Sequence, residues 1–217
     1  MGYIDSDNAL VGFSGIALGF WRTAEKLRDD ADKQTAGQAW RTHWSIHSTI
    51  CLYHAALECF INEEITLLVA RLSTGQDKFL IEAYRIQGIT LNDKKIDGFL
   101  SLFGSAEQLS PDVRRRASLL INLRNRLSHH WPLVGDVRDY PTHVIEALKD
   151  AQIERVNASW AAQCSDVRLA EWGAKVVRAF VDEWWRIGRV PAEIERLHWE
   201  YGPNWLYPSE LPAALRP

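Results

Sequence analysis

The sequence predicts an all-α fold, a helical bundle. Apolar residues recur at three- and four-residue steps through most of the 217 residues, the period of a helix face. No run alternates apolar and polar residues as a half-buried strand does, and no internal repeat is present. Long periodic segments are joined by shorter connections without linker composition, so one domain over residues 1–217 is expected.

The elements follow in order. A first helix is expected from about Asn8 to Asp30, ended by Thr35-Ala36-Gly37. A second, long helix runs from about Gln38 to Leu72 and stops near Gly75. Residues 76–104 read as shorter helices punctuated by Gly88, Gly98 and Gly104. Ser110-Pro111-Asp112 is a helix start: a hydroxyl cap, proline at the first position, an acid in the first turn. That helix should reach about His129, where Trp131-Pro132 ends it, because the residue before proline is pushed from helical angles. The polar connection 131–157 holds a short helix around Thr142 to Asp150. A last long helix spans about Ala158 to Ile187; Pro191 opens one short helix, and a proline-rich tail closes the chain.

A chain of this length buries about 70% of its unfolded surface and needs neither disulfides nor a metal to fold. The net charge of −3 argues against a general nucleic-acid coat. From Ser110 to Trp131, however, Arg114, Arg115, Arg116, Arg124 and Arg126 face Asp112 alone, a basic island on an acidic protein. The ten tryptophans read as core and interface packing. Cys51, Cys59 and Cys164 make an odd count without a CxxC pair, which fits a reduced cytoplasmic protein with thiols used as small apolar groups. The apolar run Ala9–Trp21 is shorter than a span of about 20 residues. Asp5 and Asp7 precede it where a signal peptide would be basic, so no membrane partner is expected. Gly15 and Gly19 have GxxxG spacing, read as close helix packing. Met1 to Ser6 fits the short myristoylation pattern, but lipidation is not expected.

The stretch LRNRLSHHW, residues 123–131, concentrates polar chemistry at the end of a core-facing helix. Leu119, Leu120, Leu123 and Leu127 form the buried stripe, and Arg124 lies beside it. Asn125 and His129 are four apart and share a face. Arg124 and His129 stand roughly 140° apart on an ideal helix, so they converge only if the helix ends near Ser128 or across two copies in a dimer. These residue types suit phosphoryl transfer. Arginine offers a planar donor fork that fits phosphate and keeps its proton. Histidine exchanges a proton near neutral pH. Asparagine can orient the imidazole or bind phosphate, no metal is required, and on RNA the 2′-hydroxyl can be the nucleophile. The competing reading is that the cations cap the helix C-terminus, where positive charge is favoured.

Arg124-Asn125-Arg126-Leu127-Ser128-His129 resembles the RNxxxH signature of HEPN domains, the higher-eukaryote and prokaryote nucleotide-binding superfamily. LYHAALECFINEEI, residues 52–65, is similar to the early long helix of many such members, with Glu58 and Asn62 at the matching positions. The resemblance implies an all-α bundle without a cofactor and a metal-independent ribonuclease of toxin–antitoxin, abortive-infection or other phage-defence type. It implies that Arg124 and His129 are catalytic, and that a homodimer brings two motifs into one site.

The long second helix adds a polar seam. Relative to His43, His47, His54, Glu58 and Cys51 lie at roughly 40°, 20°, 60° and 80°, bordering the apolar face of Ile46, Ile50, Leu57, Ile61 and Leu68. Three readings compete: histidines hydrogen-bonded at the core edge or an interface; Glu58, alone or with His54, facing Arg124 and His129; or a metal site from the His43/His47 pair. Trp44 follows His43, so the HExxH pattern is absent.

The expectation is therefore a cytoplasmic endoribonuclease. Arg124 would bind the scissile phosphate, His129 act as general acid or base, and Asn125 orient groups. Glu58, His54 and Asn62 would support the site. Arg126 and His130 would hold the RNA backbone and Arg114, Arg115 and Arg116 guide it. RNA, a second copy and an antitoxin or defence protein are the expected partners. The alternative is a non-catalytic helical module that binds a nucleotide or a protein.

Overall fold

A computed structural model of the chain describes residues 14–33, 39–70, 77–102, 109–128, 140–154 and 159–187. The fold is all-α: among the described residues every regular element is a helix. In order they are α1 (Ser14–Asp32), α2 (Ala39–Ala70), α3 (Asp77–Gln87), α4 (Asp93–Leu102), α5 (Pro111–Ser128), α6 (Thr142–Asp150), α7 (Trp160–Gln163) and α8 (Val167–Ile187).

The expected elements are present, with two corrections. The last long helix is not continuous: Cys164-Ser165-Asp166 separates α7 from α8. Asp166 Oδ1 accepts the Arg168 N–H at 2.9 Å, capping α8, and Ser159 Oγ accepts the Ala162 N–H at 3.2 Å, capping α7. Capping side chains at both positions outcompete the helical propensity of the segment. The second concerns Gly19, which is exposed, with nothing within 4 Å of where a Cβ would stand; the side of α1 at Gly15 lies outside the described residues. The expected short helix at Pro191, the tail and the amino-terminal six residues lie outside the described residues. No described helix is long and apolar enough to cross a membrane.

The chain falls into two compact units: Met1–Gly19, Ala56–Gln108 and Val181–Pro217 form one; Phe20–Ala55 and Leu109–Phe180 form the other. It passes between them inside α1, α2 and α8 and again from Gln108 to Leu109. Three of the four crossings thus lie within helices, which carry no linker composition.

In the first unit, Glu63 is buried and accepts the Ala17 N–H at 3.0 Å, one of the amides left open in the first turn of α1. Lys95, only 1% exposed, is also buried. Its ammonium donates to the carbonyls of Gln87 at 3.1 Å and Ile89 at 2.7 Å, where α3 ends, and lies 3.6 Å from Glu58. Burial holds its pKa below the ordinary lysine value, against the opposing pull of Glu58. Gly98 on α4 is a true close approach, since a Cβ there would lie 2.9 Å from Ile86 Cγ1.

In the second unit, Ile46, Ile50 and Tyr53 from α2 are buried, as are Leu119, Leu120 and Leu123 from α5. Leu127, the fourth member of the expected stripe, is half-buried. Gly173 on α8 admits Ile50 and Tyr53, each 3.1 Å from where its Cβ would stand. Trp160 and Trp172 are buried, whereas Trp44 is 64% exposed. The three cysteines are free, and burial pushes the Cys164 thiol up to about 12, so it behaves as a small apolar group.

Candidate functional site

The motif helix begins as its sequence dictates. Ser110 Oγ accepts the Val113 N–H at 3.4 Å, Pro111 occupies the first helical position, and Asp112 lies in the first turn. The buried leucine stripe then fixes the rotation of α5 and leaves the polar residues of its last two turns at the margin of the core.

Arg124 and Asn125 are both half-buried. Arg124 Nη1 donates to Asn125 Oδ1 at 3.0 Å, so the asparagine holds the guanidinium of its neighbour. Among the described residues no carboxylate pairs with Arg124. His129 and His130 lie outside the described residues, and α5 is defined as far as Ser128.

Arg126 points to a different environment. Its guanidinium carbon sits 5.6 Å from the centroid of the Trp160 ring, a cation–π contact. Its Nε is buried without a hydrogen-bond partner. His143, in the first turn of α6, also has a buried Nε2 without a partner. Burial, then the charge of Arg126, hold the His143 pKa below its ordinary value, and Glu146 opposes them. His143 is not among the residues that the sequence singles out. Its one sequence signal is a histidine in a helix's first turn, where a cation is disfavoured and a neutral imidazole is tolerated.

The basic island is partly neutralised by a residue distant in sequence. Arg115 Nη2 lies 3.0 Å from Asp112 and 2.9 Å from Asp150, and Arg116 Nε lies 2.9 Å from Asp112 and 3.7 Å from Asp150. Arg115 holds the Asp112 carboxyl below the usual carboxylate range. Arg114 is half-buried.

The supporting candidates divide between the units. His54 belongs to the second and is fully buried, at 1% exposure. Cys51, one turn before it on the seam, places its sulfur 3.7 Å from the Ser128 hydroxyl inside the motif. Glu58 and Asn62 belong to the first unit. Glu58 accepts the Leu91 N–H at 3.0 Å besides facing Lys95, and the Asn62 carbonyl accepts from Thr66 and Gln87. The Glu58 carboxylate is thus engaged with the α3–α4 connection and α4, whereas Asn62 bonds Gln87 of α3 through its backbone carbonyl and its side-chain Oδ1 is buried without a hydrogen-bond partner. The side chain of His43 is outside the described residues. Among the described residues no group of three or more His, Cys, Asp or Glu is placed to hold a metal ion.

The second unit also carries a cleft of about 390 Å³ lined by residues of α1 and α8. Its carboxylates, Glu25, Asp29 and Glu171, are matched by Arg28, Lys175 and Arg178. Arg28 is already held by Glu25 at 3.0 Å and Asp29 at 2.8 Å. The balanced charge gives the cleft no net attraction for a polyanion.

Comparison with protein-family models, curated proteins and solved structures returns no match for this chain.

Proposed function

We propose that this protein is a metal-independent endoribonuclease of toxin or phage-defence type, working in the cytoplasm as a homodimer. The observation that carries the reading is the Arg124–Asn125 pair: a half-buried guanidinium oriented by an adjacent amide and left without a carboxylate partner among the described residues. Arg115 and Arg116, by contrast, are ion-paired. A cation kept for structure is normally neutralised where it is partly desolvated; one kept for a phosphate is not.

In the reaction, the ribose 2′-oxygen attacks the adjacent phosphorus and its proton passes to a base. The bond to the 5′-oxygen breaks and that oxygen takes a proton. The products are a 2′,3′-cyclic phosphate and a 5′-hydroxyl. Arg124 stabilises the charge on the phosphoryl oxygens. His129 moves the proton, a role worth about 10²–10⁴-fold in rate. Asn125 positions Arg124.

The test is cleavage of RNA in EDTA by wild type, Arg124→Ala and His129→Ala. Cleavage by wild type alone, with cyclic-phosphate ends, supports the nuclease. No cleavage by wild type across pH 6 to 8 favours the second reading, a non-catalytic binding module. The ion pairs of Arg115 and Arg116 with Asp150 and the seating of Arg126 on Trp160 favour that alternative, since they give those arginines structural work.

A further inference from the structure

The cleft lined by α1 and α8 lies wholly within the second unit, and its charges are sorted by wall. On the α1 wall Trp21, Glu25, Arg28 and Asp29 recur at helical steps and share one face. Arg28 draws on one oxygen of each carboxylate. Glu25 Oε1 accepts from Arg28 Nη1 at 3.0 Å, and Asp29 Oδ1 accepts from Nη2 at 2.8 Å and Nε at 3.2 Å. Glu25 Oε1 also accepts the hydroxyl of buried Tyr53. Burial, then the bond to Glu25, push the Tyr53 pKa up, so this hydroxyl keeps its proton and stays a donor. The carboxylates are thus held in place, and no hydrogen bond among the described residues uses Glu25 Oε2 or Asp29 Oδ2. Two carboxylates against one guanidinium leave this wall one net negative charge. The α8 wall sets Lys175 and Arg178 against Glu171, one net positive charge. Glu171 and Lys175 have the spacing and order that pair best on a helix, yet Lys175 makes no ion pair among the described residues. Apolar surface comes from Trp21, whose ring rests on Tyr53 at 5.2 Å, and from Val167 and Ala174. The volume of about 390 Å³ is that of a small-molecule site.

We infer that this cleft binds a free α-amino acid with a large apolar side chain. Glu25 and Asp29 take its ammonium, Lys175 takes its carboxylate, and Trp21 supports its side chain. Walls of opposite sign select a ligand that is itself a dipole. A lone anion or cation gains from one wall and is repelled by the other. An α-amino acid is the simplest ligand that joins both charges to an apolar body. The inference does not depend on the RNA reading of α5, because the two sites share no residue.

The experiment is an NMR titration of the full chain with L-phenylalanine, L-leucine and L-tryptophan. It follows the Trp21 indole N–H resonance, assigned by its loss in Trp21→Phe. At least one amino acid should shift it saturably with a Kd at or below about 1 mM, the affinity a ligand of this size reaches. N-acetyl-L-phenylalanine lacks the ammonium and L-phenylalanine amide lacks the carboxylate, and each should bind about tenfold weaker than the free amino acid. Asp29→Asn and Lys175→Met change exposed side chains, so the fold should stand. Each should weaken the free amino acid about tenfold. Lys175→Met should leave the affinity of the amide unchanged, since its partner group is already missing. No saturable shift with any of the three amino acids overturns the site. So do capped probes that bind as tightly as the free amino acid, or variants that keep wild-type affinity. RNA cleavage in EDTA is read separately, and none of these outcomes decides it.

Discussion

The Cys51 sulfur and the Ser128 hydroxyl lie 3.7 Å apart, joining the polar seam of α2 to the last residue of the motif helix. The contact is a weak hydrogen bond at best, but it sets how closely the two helices approach at Ser128. Cys51→Ala should cost less than about 1 kcal/mol. Cys51→Leu should cost about 1–3 kcal/mol by overpacking, and should lower RNA cleavage by moving Ser128 and the turn that carries Arg124. Thermal melting and the cleavage assay in EDTA check both. A leucine variant as stable and active as wild type would show that this contact does not position the motif.

Asp150 faces both Arg115 and Arg116 and reduces the positive field of α5. If those arginines guide RNA, Asp150→Asn should strengthen binding at low salt and steepen its salt dependence. The stability cost should stay near 0–1 kcal/mol, because Arg115 is largely exposed. Anisotropy titrations with a fluorescent 2′-O-methyl oligoribonucleotide, which lacks the 2′-hydroxyl nucleophile and cannot be cut, measure the effect. Unchanged affinity and salt slope would assign the two arginines to helix packing alone.

Two glycines should respond in opposite directions. At Gly98 a Cβ would approach Ile86 Cγ1 to 2.9 Å and Cδ1 to 3.0 Å, so Gly98→Ala should destabilise by about 1–3 kcal/mol, with partial rescue by Ile86→Val. At Gly19 the space is open, so Gly19→Ala should stabilise by about 0.5–1 kcal/mol through helix propensity. Denaturant midpoints compare the two. The same sign at both positions would contradict the packing described.

His143 makes stability depend on pH. Its folded pKa lies below the ordinary value of 6.5, because of burial and the charge of Arg126, with Glu146 opposing. The unfolded chain therefore binds the proton more readily, and stability should rise with pH through the window just below 6.5. His143→Gln should flatten that part of the profile. Denaturation midpoints between pH 5 and 8 test this, and an unaltered slope in the variant would remove His143 as its source.

Local patterns made much of this protein legible. The leucine spacing of α5 gave its buried face, Ser110-Pro111-Asp112 gave its start, and Thr142 to Asp150 appeared as the helix expected there. Arg124 beside the stripe is half-buried because a helix repeats every 3.6 residues, a rule needing no knowledge of the fold. Contacts between residues far apart in sequence were not legible. Nothing in the sequence pairs Asp150 with Arg115, seats Arg126 on Trp160, or charges Glu58 with the Leu91 amide and Lys95. Those depend on which helix faces meet. Helix periodicity sets which side of each helix is apolar; the packing of one helix on another decides which polar groups at its margin find partners and which, like His143, do not.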